Sequence, residues 1–125
     1  MSGRPRFMLD TNAVVSLLNG NRELAMLLES SVYVGISVVT YLEFLAFEGL
    51  TDDDRNSFKQ FCSRIEIVPL AYDDDITATA LKLRIHHRLK LPDAIIGATA
   101  VCRKAVLITN DTHFSGIATL TTKGC

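Results

Sequence analysis

The chain of 125 residues contains no tryptophan, and aromatic residues make up only 7% of it. A protein that binds nucleic acid mainly by stacking bases on aromatic rings is therefore not expected. No apolar run is long enough to span a bilayer, and the basic, polar start at Met1 to Arg6 lacks the apolar core of a signal peptide. We therefore expect a soluble, cytoplasmic protein that has no membrane partner.

Cysteine is scarce, and neither charge sign is in large excess. Cys62, Cys102 and Cys125 are odd in number and lack a C-x-x-C spacing, which favours reduced thiols over a disulfide framework or a zinc site. The formal net charge is −1 and the isoelectric point is near 6.3, so bulk charge does not indicate a nucleic-acid-binding protein. Any RNA or DNA would need a local basic patch.

Hydrophobic residues make up 48% of the chain, with a mean hydropathy of +0.23, and predict one globular domain over residues 1–125. Short apolar segments alternate with segments of helical periodicity, which predicts an α/β fold with a mainly parallel sheet of four to five strands, covered on both faces. The predicted strands are 7–9, 32–36, 65–68 and 106–108, with a short fifth strand at 117–121. The predicted helices are 13–18, 22–29, 38–47, 52–62, one that opens at 73–75, and 93–103.

Four acidic residues at the ends of these elements are the main functional signal. Asp10 ends the first strand and Asp111 follows the fourth, so both belong to the carboxyl edge of the sheet, where such folds bind ligands. Glu43 lies in the second turn of the helix after strand two, and Asp93 in the first turn of the helix that leads to strand four. If strands one and four are neighbours, the four carboxylates meet at one crevice.

Each of these acids also has a purely structural interpretation. Asp10 could cap the helix that follows it, and Asp93 could complement the dipole of its helix. Asp111 could be an ordinary turn residue. Glu43 could point to water, although its neighbours are apolar and an unpaired buried carboxylate would be costly. The coincidence of four such positions on one edge favours the functional interpretation.

Clustered carboxylates repel one another: two charges about 4 Å apart cost on the order of 4 kcal/mol at an effective dielectric constant of about 20. Mg²⁺ or Mn²⁺ relieves such repulsion and prefers oxygen ligands. A carboxylate cluster without His or Cys fits metal-assisted hydrolysis of a phosphodiester, which needs no protein nucleophile.

Four segments of the chain resemble the PIN domain, and more closely the VapC-type toxins of bacterial and archaeal toxin–antitoxin pairs. The resemblance covers nearly the whole chain in matching order, and its most specific part is the Pro-Asp-Ala-Ile-Ile-x-Ala-Thr-Ala stretch. The segments are Leu9–Asn12, Tyr41–Glu43, Leu91–Ala100 and Ile108–Phe114.

The resemblance implies a three-layer α/β/α sandwich that acts as a Mg²⁺- or Mn²⁺-dependent endoribonuclease. It also implies a homodimer, inhibited by a cognate VapB-type antitoxin whose C-terminal segment occupies the site. Many relatives carry Thr-Arg-Asn with a later Asp-Phe, whereas this chain has Thr-Asn-Asp and then His113-Phe114, which leaves Asp111 as the fourth acid. The implied catalytic residues and metal ligands are Asp10, Glu43, Asp93 and Asp111, supported by Thr11, Asn12 and Thr109.

A basic segment precedes Asp93. In a protein of net charge −1, a local basic surface beside an acidic site is what an RNA backbone requires. The alternative is a solvated helix face. The residues that we predict to bind RNA are Arg84, His87, Arg88 and Lys90.

Other functional classes are less well supported or remain open. A receiver-type phosphotransfer domain would need an acid pair after strand one and a Lys after its last strands, and neither appears. A dehalogenase-like phosphatase would favour Asp-x-Asp, where this chain has Asp10-Thr11-Asn12. A PIN domain that has lost catalysis would bind RNA or protein without cleavage. An RNA-processing PIN nuclease would cleave RNA without a toxin role.

Overall fold

The computed structural model describes residues 4–125, in which five parallel strands form one sheet in the order β3-β2-β1-β4-β5. The predicted α/β fold is confirmed. The strands are β1 (Arg6–Leu9), β2 (Tyr33–Ser37), β3 (Glu66–Val68), β4 (Val106–Ile108) and β5 (Thr122–Lys123). The helices are α1 (Thr11–Leu18), α2 (Arg22–Glu29), α3 (Val38–Leu45), α4 (Asp52–Cys62), α5 (Asp75–His87) and α6 (Leu91–Cys102), and a short 3-10 helix (Thr112–Phe114) follows β4.

The central strands are apolar because both faces of the sheet are covered by helices. Met8 of β1 packs into a core that includes buried residues of α5 and α6. Its neighbours Phe7 and Leu9 pack into a second core with buried residues of α1, α2, α3 and α4. Successive side chains of a strand point to opposite faces, so one strand serves both cores and the fold has three layers.

The chain reverses its direction of travel across the sheet beside β1. It first passes outward from β1 to β2 and β3, and then returns through α5 and α6 to β4 on the other side of β1. Phe7 is in register with Val106, and Leu9 with Ile108, so the adjacency of the first and fourth strands is confirmed. In open parallel sheets, the crevice at such a reversal is the usual place for a ligand.

Helices α3 and α4 each begin after a residue whose side chain caps them. The Ser37 hydroxyl accepts a hydrogen bond from the backbone N–H of Val39 at 3.0 Å, and Thr51 forms a capping box with Asp54 at the start of α4. Helix α6 begins two residues earlier than predicted, with Pro92 in its first turn, where a missing N–H costs no helical hydrogen bond. Asp93 remains in the first turn of this helix.

The predicted strand at 117–121 is wrong, because the fifth strand is Thr122–Lys123. Residues 117–120 form a turn, in which the backbone N–H of Leu120 donates to the carbonyl of Ile117 at 3.1 Å. Ile117 and Leu120 are both buried. Two side chains three residues apart point to opposite faces of a strand. The turn, in contrast, allows both to be buried in the same core.

The apolar residues of α5 do not all face the core. Ile76, Ala80 and Leu83 are buried, whereas Leu81 and Ile85 are 59% and 65% exposed. In the described residues, every helix is too short or too polar to cross a membrane.

Candidate functional site

Asp10 is the most buried of the four predicted acids, with 6% of its surface exposed. It follows β1 directly, and its backbone N–H donates to the carbonyl of Ile108 in β4 at 3.2 Å. Its Oδ1 accepts a hydrogen bond from the N–H of Ala13 at 2.8 Å and so caps α1. The capping interpretation of Asp10 is thus correct, and it coexists with a place in the site because the same carboxylate also lines the cavity described below.

Burial raises the pKa of Asp10 above 3.8, and the charges of Asp111 and Glu43 act in the same direction. The hydroxyl of Thr109 and the N–H of Ala13 oppose this rise. The direction of the shift means that the folded protein resists the ionised form of Asp10. A cation in the site would remove that resistance.

Glu43 is exposed, as its structural interpretation required, but it does not point away from the other acids. Helix α3 begins at the carboxyl end of β2, which brings Glu43 to the same edge as Asp10. The Thr11 hydroxyl donates to Glu43 Oε1 at 2.6 Å and therefore fixes the carboxylate from the adjacent helix. This contact is consistent with the supporting role that the resemblance implies for Thr11, which stays a prediction.

Asp93 and Asp111 are both partly buried and close together. Burial raises the pKa of Asp93 above 3.8, as do the charges of Asp111 and Glu43, whereas His113 and Lys90 act to lower it. Asp111 caps the 3-10 helix, since its Oδ1 accepts from the N–H of His113 at 2.8 Å.

Thr109 braces the segment that carries Asp111. It is 5% exposed, and its Oγ1 accepts a hydrogen bond from the Asp111 backbone N–H at 3.0 Å. The backbone N–H of Thr109 in turn donates to the carbonyl of Lys123 in β5 at 2.9 Å. The fourth acid is therefore held in position by the sheet itself, through residues that follow β4 and belong to β5.

The four acids line one cavity of about 440 Å³ at the carboxyl edge of the sheet. Among the described residues, no Lys, Arg or His lines this cavity. Four carboxylates without a cation repel one another, and hard divalent ions with oxygen ligands relieve that repulsion, so the donor set fits Mg²⁺ or Mn²⁺. The full lining is Asp10, Thr11, Asn12, Glu43, Ala46, Phe47, Asp93, Ile96 and Asp111.

The predicted RNA-binding residues divide into two groups. His87, Arg88 and Lys90 line a smaller cavity of about 140 Å³ that also includes Asp93. This cavity therefore adjoins the acidic one. Arg84 is absent from its lining, and its Nη1 donates to the carbonyl of Leu89 at 3.2 Å, within the connection between α5 and α6.

His113 is the residue near the acids whose role sequence reasoning missed. Its Nδ1 lies 2.9 Å from Asp111 Oδ1, and it lines the smaller cavity together with Asp93. The available signal was its position: it follows Asp111 by two residues, immediately after the strand that brings Asp111 to the edge. Sequence reasoning placed His113 within the matching segment but assigned it no function.

Several solved structures similar to this chain are described as belonging to toxin–antitoxin systems. One, a toxin–antitoxin complex from Klebsiella pneumoniae, contains a chain 32% identical in sequence, with a TM-score of 0.76 over 92% of this chain and 95% of that one. Another, VapBC-5 from Mycobacterium tuberculosis, is 26% identical, with a TM-score of 0.66 over 97% and 100% of the two chains.

A third structure, VapBC2 from Rickettsia felis bound to a DNA fragment from its promoter, is 22% identical and supports the fold, with a TM-score of 0.77 over 94% and 97% of the chains. No curated protein sequence matches this chain significantly. The family model of the PIN domain matches residues 7–120, which is most of the chain. The predicted resemblance is confirmed: the chain belongs to the PIN domain family, and it resembles the VapC toxins of VapBC systems.

Proposed function

We propose that this protein is a metal-dependent endoribonuclease and the toxin of a VapBC-type pair. The observation that carries the proposal is the convergence of four carboxylates, from four separate elements, on one cavity whose described lining contains no cationic residue. Such a cavity is costly in the folded protein unless it holds cations. A function that uses cations explains why the fold retains it.

The residues that would hold Mg²⁺ or Mn²⁺ are Asp10, Glu43, Asp93 and Asp111. When bound, the ion supplies an activated water and stabilises the leaving oxygen of a phosphodiester. The chain itself keeps the carboxylates in place: Thr11 orients Glu43 through the 2.6 Å hydrogen bond, and the backbone N–H of Ala13 holds Asp10 at 2.8 Å. Asn12 adds a polar, exposed side chain to the cavity wall, where substrate would enter.

The RNA backbone would lie along the connection between α5 and α6. His87, Arg88 and Lys90 are exposed beside Asp93. These basic side chains therefore lie next to the acidic cavity but outside its lining. Phosphate groups flanking the scissile bond would bind these residues. Arg84 would support this surface by its hydrogen bond to the Leu89 carbonyl.

A VapB-type antitoxin is the proposed inhibitor, with its C-terminal segment in the acidic cavity. Support comes from the similar structures, which are toxin–antitoxin complexes. The resemblance also implies a homodimer, and the exposed apolar side chains of Leu81 and Ile85 on α5 are the kind of surface that a protein partner covers. Light scattering of the purified chain tests the dimer directly.

The test of the nuclease function is cleavage of a fluorescent RNA by the purified protein with Mg²⁺, with Mn²⁺ and with EDTA. We expect cleavage with either ion and none with EDTA. Asp10→Asn and Asp93→Asn should each lose at least about a hundredfold in rate while keeping the circular dichroism spectrum. Asp53→Asn is the matched control, because Asp53 is an exposed acid in the first turn of α4 and does not line the cavity.

Full activity of either site variant would refute the site assignment. Binding of RNA without cleavage in Mg²⁺ would instead identify a catalytically silent PIN domain. Expression of the chain in bacteria separates the toxin role from RNA processing: growth arrest that co-expression of a neighbouring antitoxin gene relieves supports a toxin, and normal growth supports a processing nuclease.

A further inference from the structure

His113 places a nitrogen donor beside two of the four acids, at the edge of their cavity. One donor atom from each of Asp93, Asp111 and His113 lies within 4.8 Å of the other two. We propose that His113 directly coordinates a divalent ion shared with Asp93 and Asp111, and that this ligand set favours a transition-metal ion such as Mn²⁺ over Mg²⁺. The inference rests on the proposed nuclease function, because it concerns the ion that this function would use.

The spacing of the donor atoms suits coordination. The Nδ1 of His113 is 2.9 Å from Oδ1 of Asp111. Two adjacent ligands that each lie about 2.1 Å from one octahedral ion are separated by about 3 Å, so this pair already has the separation of neighbouring ligands. Little rearrangement is therefore needed for both atoms to bind one ion.

The backbone fixes this pair, whereas the imidazole remains accessible. The N–H of His113 donates to Asp111 Oδ1 at 2.8 Å, and the next residue, Phe114, is 2% exposed and anchors the segment in the core. The His113 side chain itself is 70% exposed, so it can turn towards an ion from solvent without disturbing the packing.

The alternative is that His113 only donates a hydrogen bond from Nδ1 to Asp111. In that case its nitrogen would stay protonated and outside the coordination sphere, and it would orient the carboxylate from behind. The two roles differ in one observable, a direct bond between imidazole nitrogen and the metal.

A nitrogen ligand changes which ion the site prefers. Mg²⁺ is bound almost only through oxygen, and it keeps several of its waters. Affinity for imidazole rises along the first transition series, starting from Mn²⁺. Removal of His113 should therefore weaken Mn²⁺ binding far more than Mg²⁺ binding.

The decisive experiment is pulsed electron paramagnetic resonance of Mn²⁺ bound to the full chain, which detects coupling to a directly coordinated imidazole nitrogen. We expect this coupling in the wild type and in His86→Ala, and its loss in His113→Ala. The control is matched because His86 is an exposed histidine of α5 outside both cavities. By calorimetry, His113→Ala should weaken Mn²⁺ binding on the order of tenfold and Mg²⁺ binding by less than about threefold.

The His113 proposal is overturned if bound Mn²⁺ shows no nitrogen coupling in the wild type, or if the coupling persists in His113→Ala. It is also overturned if His113→Ala weakens the binding of both ions equally, which is the result expected of a merely orienting residue. If RNA cleavage in Mn²⁺ still depends on Asp10 and Asp93 in those cases, the nuclease function stands without this ligand. If no Mn²⁺ binds and no metal-dependent cleavage occurs, both proposals fail.

Discussion

The Asp93→Asn variant should be more stable than the wild type without divalent ions and less stable with them. Donor atoms of Asp93 and Asp111 lie within 4.8 Å of each other. Two unit charges at that distance repel by about 3.5 kcal/mol at an effective dielectric constant of about 20, and by about 0.9 kcal/mol in water. Because both carboxylates are partly exposed, the lower half of this range applies, about 1–2 kcal/mol.

The substitution also removes a favourable interaction. Asp93 lies in the first turn of α6, where a negative charge contributes about 0.3–1 kcal/mol with the helix dipole. The net expected gain therefore lies between about 0 and 1.7 kcal/mol, which corresponds to at most roughly 7 °C in Tm for a domain of this size. A neutral amide of nearly the same shape should leave the packing around residue 93 unchanged.

Divalent ions should reverse the order of stability. A ligand at a hundred times its Kd stabilises the state that binds it by about 2.7 kcal/mol, and Asp93→Asn should lose most of this gain. The assay is thermal unfolding of both proteins in EDTA and in excess Mg²⁺. The control is Asp53→Asn, which loses a first-turn charge of α4 and should therefore differ from the wild type by the same small amount in both conditions, with the same gain from Mg²⁺. A variant that is less stable than the wild type in EDTA, or that gains equally from Mg²⁺, would refute the view that the acids are a destabilised ion-binding cluster.

Three further predictions concern the raised pKa values, the hydrogen bond of Thr11 and the basic surface. The pKa values of Asp10 and Asp93 are raised in the folded state, so protonation of these carboxylates favours folding. In EDTA, the difference in unfolding free energy between the wild type and Asp93→Asn should therefore shrink as the pH falls from about 7 to about 4. Urea unfolding at each pH measures this difference. Thr11→Val removes the hydrogen bond to Glu43 and should weaken Mn²⁺ binding on the order of tenfold, whereas Thr11→Ser should keep it, as measured by calorimetry. Replacing Arg88 and Lys90 by Gln should reduce the slope of log Kd for single-stranded RNA against log salt by about 1.4, and an unchanged slope would remove both from the RNA surface.

The sequence predicts the fold and the position of the acids for the same reason. The apolar runs before Asp10 and before Asp111 are buried on both faces, which is diagnostic of central parallel strands. Once those strands are parallel, the residues that follow them must share one edge. The prediction of a strand fails at Ile117 and Leu120, because their burial comes from a turn and has no strand period.

Side-chain partners could not be predicted in the same way. The pairing of Thr11 with Glu43 joins residues 32 positions apart and depends on the distance between α1 and α3. A second example lies at the amino edge of the sheet, where Glu66 accepts hydrogen bonds from Arg103 and Tyr33. Tyr33 is the first residue of β2, whereas Arg103 follows α6. Prediction from a single sequence relies on periodic spacing. The residues in these contacts are far apart in the chain and have no such spacing, so the contacts cannot be predicted.

The structural and functional interpretations of the acids are compatible in the folded protein. Asp10 and Asp111 both cap a helix, and both line the cavity. A cap fixes one carboxylate oxygen against backbone N–H groups, so the side chain loses its rotational freedom before any ligand arrives. The capping role thus prepares a carboxylate for an ion rather than competing with it. Replacing Asp10 by Asn should for this reason preserve the cap while removing the charge, which separates the two contributions within one side chain.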